Sequence, residues 1–251
     1  MVAQKHYKVI MSGGIIEVYE FEKLPPTKRL KEVEDGYDPL DLENTKLELS
    51  KEDRTLERRQ QTVRDARNTT RRLALMNFGP GDTFFTMTYA ENMQDLEQAD
   101  KDFKKFIQRF KYHHGDFKYL AVREFQKRGA IHYHMLCSWT RAFEGEEDIR
   151  SWERYFGEQL WGHGFVDIKF LNHVDNVGAY LIKYMTKNLS IELFKGKKVY
   201  LPSKGLERPE VFRGDQAEEL IRFYGLETKK KYSLTPTKVN TAEILYTKSI
   251  T

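Results

Sequence analysis

Residues 127–139 read KRGAIHYHMLCSW and set His132 and His134 one residue apart inside an apolar run. On a β-strand, positions i and i+2 face the same side, roughly 7 Å apart along the chain. Two neutral imidazoles spaced this way can converge on one metal ion. A third donor follows from the turn. QKRGA (126–130) reads as a three-residue hairpin loop, Lys127-Arg128-Gly129, in which a type I turn is followed by a glycine in the left-handed region. That loop pairs residue 126 with 130 and Glu124 with His132, so the carboxylate joins the imidazoles on one face. A two-residue loop would instead pair Glu124 with Tyr133 and turn the carboxylate away. Two imidazoles and a carboxylate make a three-ligand site with open positions.

A second chemical pattern lies downstream. GAYLIKYMTKNL places Tyr180 and Tyr184 four residues apart, on one face of a helix. Lys183 and Lys187 each follow a tyrosine by three. A phenol is a weak nucleophile at neutral pH because its ordinary pKa is about 10. A neighbouring ammonium favours the phenolate, and a divalent ion that polarises a phosphate lowers the barrier from the other side. An amphipathic helix packing two half-buried tyrosines shows the same spacing.

The elements that must position these residues are legible around them. DTFFTMTY (82–89) alternates as a strand. Residues 95–115 carry Leu96, Phe103, Phe106, Ile107 and Phe110 at three-four spacing, the mark of an amphipathic helix. FKYLAVREF (117–125) and AIHYHMLCSW (130–139) form the hairpin. Residues 146–161 read as a helix, 164–171 as a strand, and 175–189 as a helix with Asp175 as N-cap. The order β-α-β-β-α-β, then one more helix, predicts an α+β protein. Its core is a ferredoxin-like split-βαβ antiparallel sheet of about five strands with helices on one face. The N-terminal strands around Gly13-Gly14, or KKVYLP (197–202), are expected at a sheet edge. Residues 23–45 hold three prolines and a dense acidic run and read as a linker. Residues 50–76 read as an arginine-rich helix with Ser50 as N-cap. The expected organisation is 1–75 as an appended hairpin, acidic linker and basic helix, 76–205 as the core, and 206–251 as a C-terminal helical tail.

Charge adds a partner class. The 251-residue chain has a net charge of +4, with eight Lys/Arg against four acids in 51–75 and seven against two in 180–208. These basic zones flank the chemistry and suggest a phosphate track. In the first of them Arg58, Arg59, Arg67, Arg71 and Arg72 are the candidate DNA contacts. FKGKKVY (194–200) could stack an unpaired base. The single cysteine, Cys137, excludes an internal disulfide and a cysteine-based zinc site, and it fits a reducing, cytoplasmic setting. No apolar run reaches the 18 residues of a membrane span, and the N-terminus lacks a signal-peptide pattern. No G-x-x-x-x-G-K-[ST] run is present, so any unwinding would fall to a separate helicase.

Taken in order, FFTMT (84–88), EFQKRGAIHYH (124–134) and YLIKYMTK (180–187) resemble the three motifs of the HUH endonuclease superfamily. The resemblance is nearest to its two-tyrosine rolling-circle replication initiators of plasmids and phages. LPSKGLERP (201–209) also resembles a downstream stretch of those initiators. The resemblance implies an HUH nuclease fold, with His132, His134 and Glu124 holding a catalytic Mn²⁺ or Mg²⁺; zinc would compete for the imidazoles. Tyr180 and Tyr184 would be nucleophiles, with Lys183 and Lys187 steering phosphate or stabilising charge. The implied activity is metal-dependent nicking and joining of single-stranded DNA at a replication origin through a 5′-phosphotyrosine, with a host helicase and polymerase as partners. A conjugative relaxase fits less well, because its tyrosine usually precedes the histidines. A two-tyrosine transposase shares the motif order. A non-catalytic nucleic-acid-binding module on a ferredoxin-like sheet is the reading from another class.

Overall fold

The computed structural model describes residues 6–21, 51–185, 198–226, 231–233 and 243–248; for residues 21, 51–60, 231–233 and 243–248 only the backbone is described. The chain divides into two compact units, residues 66–207 and residues 1–65 with 208–251.

In the 66–207 unit, β3 (Thr83–Met87), β4 (Tyr119–Phe125), β5 (Ile131–Cys137), β6 (Val166–Phe170) and β7 (Tyr200–Pro202) form one sheet in the order β6-β3-β5-β4-β7. Every pairing is antiparallel. The first four strands of this unit thus lie in the spatial order fourth, first, third, second, which is the split-βαβ arrangement that the element order predicts. KKVYLP supplies the edge strand β7 beside β4.

Two helical elements cover one face. Helix α2 (Leu96–His114) starts at Asp95, whose carboxylate accepts from the Glu97 and Gln98 amides. Its Phe103, Phe106, Ile107 and Phe110 are all buried, as their spacing requires. Helix α3 (Glu146–Tyr155) runs into a π-helical turn, Phe156–Trp161. Strand alternation sends Phe85 and Tyr133 toward this layer. Phe85 meets Phe110 and Phe156 edge-on, and Tyr133 stacks on Phe103 at 4.6 Å. Arg123 also points this way and is 1% exposed. It donates to Asp100 on α2 and to the Lys198 carbonyl, and Tyr133 donates to the same Asp100. The single cysteine, Cys137, ends strand β5 and is buried.

Helix α1 (Lys51–Asn77) runs from one unit into the other. Its final residue, Asn77, exchanges two hydrogen bonds of 2.8 Å with the Glu207 backbone.

The other unit holds a second antiparallel sheet. It is built from β1 (His6–Ser12), β2 (Ile15–Phe21), β8 (Glu210–Arg213), β9 (Lys231–Ser233) and β10 (Glu243–Lys248), ordered β8-β1-β2-β10-β9. Ser12 pairs with Ile15 across the Gly13-Gly14 turn, and Gly13 has φ 57°, which a two-residue hairpin turn demands. Helix α5 (Asp215–Phe223) packs Ala217 against Val9, Ile16 and Val18. The N-terminal hairpin therefore belongs to its own sheet and not to the edge of the first. Residues 206–251, expected as a helical tail, carry three strands and one helix. The acidic stretch 23–45 lies outside the described residues.

Candidate functional site

The face of the sheet opposite α2 and α3 carries the chemistry. Gln126 N–H donates to the Ala130 carbonyl at 2.9 Å, Gly129 N–H to the Gln126 carbonyl at 2.8 Å, and Gly129 has φ +85°. This is the three-residue loop with a left-handed glycine. Its register sets Glu124 opposite His132 and Val122 opposite His134. On the other side of β5, Thr86 pairs with His134. Glu124, His132, His134 and Thr86 therefore share one face.

Their hydrogen bonds decide the state of the rings. His134 Nε2 lies 2.8 Å from Glu124 Oε2. A carboxylate only accepts, so Nε2 carries the proton. In the neutral ring Nδ1 is then an acceptor, and the Thr86 hydroxyl reaches it at 3.3 Å. The bond from His134 holds the Glu124 carboxyl below the usual carboxylate range. His132, 8% exposed, has its Nδ1 3.3 Å from the Gln126 amide. Burial pushes its pKa down, and His134 and Arg128 push the same way against Glu124, so the ring is biased toward the neutral form that binds metals. The motifs alone do not single out Thr86 and Gln126 as histidine partners. Strand alternation is the available signal for Thr86.

The donor types suit a divalent ion, but they do not stand as a formed centre. Among the described residues no group of three or more His, Cys, Asp or Glu side chains is arranged to hold a metal. The Glu124–His134 hydrogen bond occupies atoms that an ion would need, and it has to be given up on binding.

The tyrosines come to this same face. Helix α4 (Val177–Ile182) is capped by Asn176, whose side chain accepts from the Ala179 amide, in place of the expected Asp175. The helix is also shorter than the expected 175–189, with Lys183 as its C-cap and a turn through Met185. Tyr184 stacks on His134, centroids 3.8 Å apart and planes 23° apart. Phe84, fully buried, floors the site: its ring lies 4.8 Å from Tyr180 and 5.4 Å from Tyr184. Lys183 Nζ sits 3.8 Å from the Tyr180 centroid and 4.8 Å from that of Tyr184, so one ammonium serves both rings. Its charge does not win at Tyr180. Burial, then a hydrogen bond with Tyr184, hold that phenol above its ordinary value, while Lys183 and Lys169 only moderate the rise. Lys187 lies outside the described residues.

Part of α1 secures α4. Arg67 donates to the Met185 carbonyl at 2.5 Å. A Cβ on Gly178 would stand 2.5 Å from the Arg71 carbonyl oxygen, so only glycine permits this approach. Arg71 and Arg72 are each 8% exposed. The expectation of Arg67, Arg71 and Arg72 as exposed phosphate contacts is therefore corrected. Two of them are buried, and the third holds the end of the tyrosine segment, because this stretch of α1 is packed and not solvated. The side chains of Arg58 and Arg59 are not described, and most of 194–200 is outside the described residues.

The architecture is that of an α+β protein whose antiparallel split-βαβ sheet gathers a carboxylate, two imidazoles and two phenols on one face. Residues 82–189 match the model of a family of replication-associated proteins, the ORF2 family. The match spans less than half of the chain and runs from the start of β3 past α4, so it contains every residue of this site. Neither the curated proteins nor the solved structures yield a match. Among the described residues no helix is long and apolar enough to cross a membrane.

Proposed function

We propose that this chain is a rolling-circle replication initiator that nicks and rejoins single-stranded DNA through a phosphotyrosine. The observation that carries the reading is the 3.8 Å stack of Tyr184 on His134, the imidazole that also bonds Glu124. It sets the phenol-bearing helix against the strand pair bearing the ligand types, and the family match supports a role in replication.

In the forward step a tyrosine phenol loses its proton and its oxygen attacks phosphorus. The P–O3′ bond breaks, O3′ takes up a proton, and the 5′-phosphate stays on the tyrosine. The free 3′-OH is then a primer for a host polymerase. In the reverse step a 3′-OH attacks the phosphotyrosine and the strand is rejoined without ATP, because the ester bond has been kept. Two tyrosines on one face let one hold DNA while the other cuts the new junction. Lys183, placed over both rings, stabilises negative charge on whichever phenol is in use. Mn²⁺ or Mg²⁺ would be held by Glu124, His132 and His134, and when bound would polarise the scissile phosphate.

The test is incubation with a labelled single-stranded DNA library and Mn²⁺, read as a covalent adduct on a denaturing gel. The wild type should form the adduct, and the Tyr180→Phe/Tyr184→Phe double variant should form none. A wild type that retains DNA under native conditions but never forms an adduct would be a non-catalytic binder, and the proposal would fall.

A further inference from the structure

We propose that Lys127 and Arg128, at the tip of the β4–β5 hairpin, form a phosphate clamp for the single strand flanking the reacting phosphate. The inference rests on the nicking reading and adds a binding site for the DNA backbone beyond the site described.

The hairpin loop is anchored through its backbone and free at its side chains. The Gln94 amide donates to the Arg128 carbonyl at 3.0 Å, and Asn92 reaches the same oxygen at 3.4 Å. Ile131 N–H donates to the Met93 carbonyl at 2.9 Å. Gly129 adds a close approach, since a Cβ there would stand 3.2 Å from Gln94. The loop is thus clasped by residues 92–94, while both Lys127 and Arg128 are exposed. No carboxylate among the described residues pairs with either, so their charge is available to a ligand.

The location gives that charge its partner. An open depression of about 720 Å³ is lined by Glu124, Phe125, Gln126, Lys127 and Arg128. It begins at the Glu124 carboxylate and ends at the two cations, along one strand and its turn. Arg128 is close enough for its charge to act on His132. A nucleotide chain whose phosphate reacts at the tyrosines can therefore continue over this depression with a neighbouring phosphate at the loop tip. Guanidinium and ammonium groups recognise phosphate in any sequence. The clamp positions the strand and does not read its bases.

The measurement is binding of a fluorescent single-stranded oligonucleotide across a salt series in EDTA, so that no cleavage is required. For single strands the slope of log K against log salt is about −0.7 per phosphate neutralised. Lys127→Ala/Arg128→Ala should weaken binding of unrelated sequences to a similar degree and make the slope shallower by about 1.4. Lys127→Arg/Arg128→Lys keeps the charges and should keep the slope. Lys104→Ala/Lys105→Ala removes the same charge from exposed positions on α2, across the sheet, and should leave the slope unchanged. An unchanged slope in the 127/128 alanine variant, or an equal loss in the 104/105 variant, overturns the clamp. If the wild type still forms the tyrosine adduct in either case, the nicking reading stands without it. A wild type that forms no adduct but shows the expected slope change removes the nicking reading and keeps the clamp as a DNA-binding site.

Discussion

Replacing Gly178 with alanine sets local propensity against packing. By propensity alone the change should help, because alanine is better than glycine in a helix by about 1 kcal/mol. The structure says otherwise. The added Cβ would meet the Arg71 carbonyl oxygen at 2.5 Å, Arg71 Cγ at 2.8 Å and Leu75 Cγ at 3.1 Å. The nearest atom belongs to the backbone of α1 and cannot swing aside, and it stands about 0.9 Å short of the ordinary contact limit of 3.4 Å. Overpacking of this kind costs about 1–3 kcal/mol. Less the propensity gain, the net loss should be about 1 kcal/mol, a melting temperature lower by ~2–4 °C for a domain of this size. The functional effect should be larger. To make room, α4 must move away from α1 by a good fraction of an ångström, and Tyr180 and Tyr184 move with it. A misplacement near 1 Å can cost ~100-fold in rate. Thermal unfolding and the rate of adduct formation on labelled single-stranded DNA measure the two effects. A Gly178→Ala protein that melts higher than wild type and reacts at the wild-type rate would refute the claim that α1 sets the position of the tyrosines.

Arg123→Ala should lower stability by ~3–5 kcal/mol, read by urea unfolding, because it leaves Asp100 without its buried partner. Thr86→Val removes the hydroxyl on His134 Nδ1; it should slow adduct formation several-fold while leaving the melting temperature within about 2–4 °C of wild type, as expected for a loss near 1 kcal/mol. His114 gives a pH dependence. Its Nε2 is buried without a hydrogen-bond partner among the described residues, its ring is packed on Phe110, Trp139 and Phe156, and burial, with His113, pushes its pKa down. The unfolded chain then binds the proton more readily than the folded one. Stability is full above about pH 6.5 and falls as pH drops through that value toward the lowered folded pKa. Denaturant midpoints at pH 7.5 and 5.5 should diverge in wild type and diverge less in His114→Phe.

Much of the first sheet is legible from short-range chemistry. The β4–β5 register follows from Gly129, because a left-handed residue at that point admits one pairing, and that pairing puts Glu124 opposite His132. Helix α2 follows from its aromatic spacing. The tyrosine segment is less readable. Asp175 and Asn176 are both able caps, and nothing local says which is used or that the helix stops at Ile182. The basic run of α1 misleads because an arginine periodicity looks alike whether its face meets water or a neighbouring helix. Only Gly178, far along the chain on α4, reveals that α1 has a partner there. The second sheet is illegible for another reason. Its strands come from both ends of the chain, and β2 pairs with β10 across more than two hundred residues, where no turn chemistry links them.

Cys137 is the chain's one thiol, and burial pushes it up to about 12. A sulfur that stays protonated and walled in is dark to alkylating reagents. A reporter cysteine placed on the surface, such as Lys127→Cys, should therefore be labelled alone, in an otherwise native background. Conversely, slow modification of Cys137 itself would clock the opening of the central sheet.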